Sequence, residues 1–157
     1  MRCFQMDPLN EKSLFNLVND ISLKFFGKPY TDKVVFNHRL RTTGGRYLPS
    51  ERLIELNPKY AVETETGEFI GIIKHELCHY HLHIEGKGYK HGDADFKRLL
   101  KKTGSPRHCK PLPSQANMYK YLYKCKDCHY EYKRKRRVDT NKYRCGKCRG
   151  RLILMEE

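Results

Sequence analysis

The chain has 157 residues, enough for one ordinary domain or for a small domain with an appended module. Its formal net charge of +14 argues for a polyanionic partner, most often nucleic acid. No apolar run approaches the roughly 18 residues a membrane span needs, and the opening Met1 to Met6 stretch is no secretory signal, so a soluble cytoplasmic protein with no membrane partner is expected. Seven cysteines could suggest disulfides, but an odd count, two C-x-x-C pairs and the absence of a signal favour metal binding.

In chain order, Asp7-Pro8 has the form of a helix N-cap followed by proline at the first helical position. Leu14, Val18, Ile21 and Phe25 mark one apolar face of that helix, and Gly27 is its expected stop. Val34-Val35-Phe36 reads as a strand, Thr42-Thr43-Gly44-Gly45 as a turn, and Arg46-Tyr47-Leu48 and Arg52 to Leu56 as two further strands. A small, mostly antiparallel sheet is therefore expected before the next helix.

That helix should run from about Thr66-Gly67-Glu68 to just before Gly86, because Phe69, Ile72, Ile73, Leu77 and Tyr80 recur at helical spacing. Within it lies His75-Glu76-Leu77-Cys78-His79, an H-E-x-x-H sequence. Residues four apart share a helix face, with Cβ atoms about 5–6 Å apart. Two imidazoles so placed can converge on one Zn²⁺, and Glu76 can sit beside the metal and take a proton from the attacking water.

A catalytic zinc usually has three protein ligands. His81 projects from another side of the helix, and His83 lies a turn beyond His79, about 6 Å along the axis. The metzincin pattern would need histidine where Glu85 stands. His91 is the favoured third ligand: Gly86 and Gly88 let the chain reverse, and Asp93 can cap a second helix carrying Phe96, Leu99 and Leu100. Glu85, Asp95 and His108 are the other candidates.

Helix, short sheet, His75-Glu76-Leu77-Cys78-His79, then Tyr89-Lys90-His91-Gly92 and Asp95-Phe96 together resemble the SprT-like family, which includes the eukaryotic Spartan proteases. The likeness covers roughly residues 7 to 105 and, in bacterial members, continues into a C-terminal zinc ribbon. It implies that His75, His79 and His91 hold a catalytic zinc, that Glu76 is the catalytic glutamate, and that substrates include proteins held on DNA.

Lys110-Pro111-Leu112-Pro113-Ser114-Gln115 has the composition of a linker. Beyond it, Cys125, Cys128, Cys145 and Cys148 form C-x₂-C-x₁₆-C-x₂-C, the spacing of a closed structural zinc site. From Cys125 to Arg151 there are eleven Lys or Arg against three acids, a net of +8. Lys133, Arg134, Lys135, Arg136 and Arg137 sit between the cysteine pairs, interleaved with tyrosines, and suit phosphate contact and base stacking.

The expected fold class is thus α+β: a zincin-like, minigluzincin-type helical domain over residues 1–110, a linker over 111–124, and a β-rich zinc ribbon over 125–157. The expected function is zinc-dependent endopeptidase action on proteins bound to nucleic acid, DNA favoured, with one catalytic and one structural Zn²⁺. The alternatives are a nucleic-acid-binding protein whose metal sites are mainly structural, and zinc hydrolysis of a non-peptide substrate.

Overall fold

The computed structural model describes residues 10–116 and 119–156. The Asp7-Pro8 cap and Cys3 lie outside them. The chain divides into two compact units, at Leu112/Pro113.

In the first unit, helix α1 spans Glu11–Phe26. The Asn10 side chain caps it by accepting from the Lys12 N–H at 3.0 Å. Leu14, Val18 and Ile21 turn inward, and Gly27 ends the helix in the left-handed conformation at φ 67°. Strands β1 (Lys33–Phe36), β2 (Gly45–Leu48) and β3 (Leu53–Leu56) follow and form a sheet in the order β1-β3-β2. The expected mostly antiparallel sheet is instead mixed. β2 runs antiparallel to β3, but β1 pairs with it in parallel, Val34 opposite Ile54. A parallel pair needs a crossover of a dozen or more residues, and the stretch from 37 to 52, with β2 inside it, supplies one.

Helix α2 (Pro58–Glu63) was not anticipated, although Asn57-Pro58 is a cap followed by proline at the first helical position. Asn57 is buried and fully engaged. Its side chain accepts from the Lys59 N–H and donates to the Leu40 and Thr43 carbonyls, while its own N–H donates to the Gly44 carbonyl at 2.8 Å. The loop entering β2 is thereby tied to the end of β3.

Helix α3 (Thr66–Ile84) is the central element, with Phe69, Ile72, Ile73 and Leu77 in the core. Ile73 and Leu77 retain no exposed surface, so truncating either to Ala should cost about 2–5 kcal/mol. β2 lies directly against this helix, and Gly44 and Gly45 make that approach possible. A Cβ at Gly44 would stand 2.6 Å from Ile72 Cδ1, and one at Gly45 would stand 3.2 Å from Glu76 Cγ. The glycine pair read from sequence as a turn is chiefly a packing device.

Helix α4 (Ala94–Lys102) packs back on α3 through Phe96 and Leu100, which join Cys78 and Leu82 in a second apolar cluster. Leu112, in the stretch read as a linker, is fully buried in the core of the first unit.

The second unit contains the short helix α5 (Pro113–Ala116) and strands β4 (Tyr121–Cys125), β5 (Glu131–Arg134) and β6 (Leu152–Glu156), antiparallel in the order β5-β4-β6. Its sheet starts four residues before the first ribbon cysteine, inside the 111–124 stretch. Tyr123 is buried, and its hydroxyl accepts from the Val138 N–H at 2.8 Å. Cys125, Cys145 and Leu152 form the small buried cluster. No helix among the described residues is long and apolar enough to cross a membrane.

Candidate metal centres

Helical spacing brings His75 and His79 together on one face of α3, and the turn before α4 delivers His91 to them. That turn is built by its own polar groups: Gly86 takes φ 69°, Asp93 Oδ2 accepts from the Lys90 N–H at 2.9 Å, and Asp95 Oδ2 accepts from the Gly88 N–H at 3.2 Å. Asp93 occupies the N-cap position of α4, as expected, yet its carboxylate serves the turn rather than the helix.

The three Nε2 atoms form a nearly equilateral triangle: 3.0 Å from His75 to His91, and 3.3 Å from His79 to each. Ligands bound tetrahedrally at about 2.0–2.1 Å from one ion lie about 3.3–3.4 Å apart, so the donor set fits a zinc-sized ion. The rest of each ring is arranged to match. His75 Nδ1 donates to the Pro106 carbonyl at 2.8 Å and His79 Nδ1 to the Tyr89 carbonyl at 2.6 Å, which leaves both Nε2 lone pairs toward the cluster. Burial lowers the pKa of both, that of His79 to about 4, favouring the neutral, ligating form. Phe96 packs against all three rings, with centroids 4.3–5.4 Å away.

Glu76 is buried beside this triangle. Burial pushes its carboxyl up to about 8, against a hydrogen bond from the Tyr47 backbone that favours ionisation. Glu76, the three histidines, the Thr42–Tyr47 segment and the Pro106–Cys109 segment line one open cleft of about 490 Å³.

The other candidates have different duties. Glu85 pairs with Lys28 and with Lys87, the latter at 2.7 Å, and Asp95 pairs with Arg98. His81 is buried against Ser22 Oγ at 2.7 Å, and His83 Nδ1 meets Tyr47 Oη at 2.8 Å. His108 lines the cleft without joining the triangle. Sequence reasoning missed Tyr47, Tyr89 and Pro106 as partners of the site, because two of the three act through backbone carbonyls and Tyr47 reaches Glu76 through its backbone.

In the second unit the four cysteine sulfurs gather at the ends of two tight turns. Sγ atoms are 3.4 Å apart for Cys125 and Cys148, and 3.6 Å for Cys128 and Cys145. Disulfide sulfurs would be about 2.05 Å apart, whereas thiolates at about 2.3 Å from a tetrahedral zinc would be about 3.8 Å apart. N–H groups of Lys147 and Gly150 point at Cys145 and Cys148 sulfur at 3.4 Å, and Tyr132 Oη lies 3.1 Å from Cys145 Sγ. This Cys₄ set is a zinc site closed by its own protein ligands.

The five basic residues expected in a loop are divided. Lys133 and Arg134 belong to β5, and Lys135, Arg136 and Arg137 follow it; all five are exposed. A cation stands near each of several ribbon tyrosines: Lys147 over Tyr130 at 3.7 Å, Arg134 over Tyr132 at 5.3 Å, and Lys142 over Tyr143 at 5.7 Å.

Comparison with known proteins gives two family matches. Residues 13–118 match the SprT-like family and residues 119–156 match the SprT-like zinc ribbon domain. A "Protein SprT-like" of Oceanobacillus iheyensis is 70% identical over 139 residues, covering 88% of this chain and 93% of that one. Its counterpart in Bacillus subtilis is 52% identical over 145 residues, covering 92% and 97%. Among solved structures, the metallopeptidase zymogen abylysin of Pyrococcus abyssi superposes with a TM-score of 0.44 at 23% identity, over 55% of this chain and 75% of that one. With a SprT-like match over most of its length and a matching ribbon after it, the chain belongs to the SprT-like family.

Proposed function

We propose that this chain is a zinc-dependent endopeptidase acting on proteins bound to nucleic acid, DNA in particular. The observation that carries the reading is the convergence of three Nε2 atoms within 3.3 Å of one another beside a buried glutamate, in a cleft open to solvent. His75, His79 and His91 would hold the metal. Zinc, when bound, supplies Lewis acidity to the scissile carbonyl and to the attacking water.

The remaining roles belong to the chain. Glu76 takes a proton from the water as its oxygen bonds to the carbonyl carbon. It then returns that proton to the amide nitrogen as the C–N bond breaks, leaving a carboxylate and an amine. β2 is an edge strand, and in the antiparallel ladder Gly44 and Arg46 face β3, so Gly45 and Tyr47 turn their backbone groups away from it, the Tyr47 N–H to Glu76 and the others to the open edge. An extended substrate can add to that edge, which holds its scissile bond against the cleft.

The nucleic-acid part of the reading is supported by the ribbon's net charge of +8 and by its exposed tyrosines paired with cations. The test is cleavage of DNA-binding proteins with and without DNA, comparing wild type with Glu76→Gln. Cleavage that needs Glu76 and rises with DNA supports both parts. Glu76-dependent cleavage indifferent to DNA removes the nucleic-acid part, and cleavage that survives Glu76→Gln removes the mechanism.

A further inference from the structure

The segment from Ser105 to Leu112 leaves α4 and crosses beside the metal-binding triangle, and it is anchored on both sides of His108. On one side, the Pro106 carbonyl accepts from His75 Nδ1 at 2.8 Å. The Pro106 ring also seats against α3, where a Cβ at Gly71 would stand only 3.0 Å from Pro106 Cγ. On the other side, the Cys109 thiol donates to Tyr60 Oη at 3.4 Å, the Lys110 N–H donates to Glu68 Oε1 at 2.8 Å, and Leu112 is fully buried. The Tyr60 hydroxyl lies 3.0 Å from the Lys110 carbonyl and 3.2 Å from the Thr42 carbonyl, so one buried side chain ties together the two walls of the cleft.

Between those anchors Arg107 and His108 are exposed and line the cleft with Glu76 and the three histidines. The walls differ in what they reach. The β2 wall touches Glu76 through the Tyr47 backbone. The Ser105–Leu112 wall touches His75, whose pKa is lowered first by burial and more weakly by the charges of His91 and His108.

A scissile carbonyl whose carbon is attacked from the Glu76 side gains further stabilisation from a donor that reaches its oxygen from another side. Several donors in the cleft are already engaged: Arg46 with Glu55 at 2.5 Å, Tyr47 Oη with His83, and the Cys109 thiol with Tyr60. His108 lines the cleft from the Ser105–Leu112 wall, separate in sequence and anchoring from the β2 wall that touches Glu76, on a strap fixed at both ends. Its ring offers an N–H whether the imidazole is neutral or protonated.

We propose that His108 is a further catalytic residue of this site, donating a hydrogen bond to the scissile carbonyl oxygen as negative charge gathers on it. The inference rests on the peptidase reading of the same cleft. A donor held ready by a rigid strap stabilises the transition state more than the substrate, so its loss falls on kcat.

The test uses the full-length, zinc-loaded chain and compares wild type, His108→Ala, His108→Gln, Arg107→Ala and Tyr89→Phe. Two binding probes accompany the kinetics: a peptidic phosphonamidate, whose tetrahedral anionic oxygens imitate the transition state, and a peptidic hydroxamate, which has no tetrahedral centre. His108→Ala should lower kcat by about 10²–10³-fold with a much smaller change in KM, and should weaken the phosphonamidate by a similar factor. Hydroxamate affinity and zinc content should stay at the wild-type level, and His108→Gln, which keeps an N–H donor, should recover part of the loss. Unchanged kcat and phosphonamidate affinity in His108→Ala would overturn the assignment, as would a comparable loss in Arg107→Ala or Tyr89→Phe with His108→Ala unaffected. If wild type shows no Glu76-dependent cleavage, the peptidase reading fails by itself. Phosphonamidate affinity still decides His108: weaker binding in His108→Ala supports the contact, and equal binding removes it.

Discussion

The two metal-binding sets of this chain are built on opposite plans. The three histidines stand on a domain whose core is made by other residues: α3 is held by Phe69, Ile72, Ile73 and Leu77, and the imidazoles line one side of a cleft. The ribbon's core is small and leans on its ligands: Cys125 and Cys145 are two of the three residues in its buried cluster, while Cys128 and Cys148 are exposed. One set presents imidazole nitrogen donors with a free approach beside a glutamate. The other presents four sulfurs that complete a tetrahedron. An ion in the first place can do chemistry, while an ion in the second holds the chain together.

The largest effect should therefore come from breaking the closed set. Cys145→Ser should unfold the ribbon, because structural zinc contributes about 10–16 kcal/mol to units this small. Amide exchange should rise across β4, β5 and β6, with α3 unchanged; protection that persists in the ribbon would mean its fold stands without the metal.

Glu76→Gln comes next. It keeps side-chain size and should leave zinc content at the wild-type level while lowering the cleavage rate by about 10²–10⁴-fold. An equal rate would place the base elsewhere.

A smaller loss is expected at the contact between β2 and the open site. In Gly45→Ala the new methyl would stand 3.0 Å from Leu56 Cδ2 and 3.2 Å from Glu76 Cγ, so strand or side chain must shift. Overpacking of this kind costs about 1–3 kcal/mol, measurable by thermal or urea unfolding. An unchanged midpoint would show that the strand yields freely.

The smallest effect concerns the ribbon's surface rather than its fold. Neutralising Arg134, Arg136 and Arg137 should leave zinc bound and reduce the salt slope of log K for DNA by about 0.7–0.9 per lost phosphate contact. An identical slope on single-stranded and duplex DNA would make these residues a solvated surface.

Much of this was readable in the sequence where short-range patterns carry the information. The 3.6-residue recurrence of Phe69, Ile72, Ile73 and Leu77 placed α3, the i, i+4 spacing aligned His75 with His79, and Gly86 and Gly88 marked the reversal that brings in His91. What escaped depends on distant residues. The parallel pairing of β1 with β3 is a property of the sheet, not of either strand. Leu112 resembles a linker residue beside two prolines until the core it fills is known. Gly44 and Gly45 look like a turn, and only Ile72 and Glu76 across the interface reveal why no side chain fits there. The Ser105–Leu112 strap has no periodicity at all; it is defined by anchors on His75, Tyr60 and Glu68.

The most direct test of two independent centres is zinc stoichiometry in His91→Ala, by elemental analysis of protein purified without chelator. The account predicts two zinc ions per wild-type chain and one per variant chain, with the ribbon's amide protection intact and the remaining zinc lost only when Cys145→Ser is added. A His91→Ala protein that keeps both zinc ions at full occupancy would contradict it.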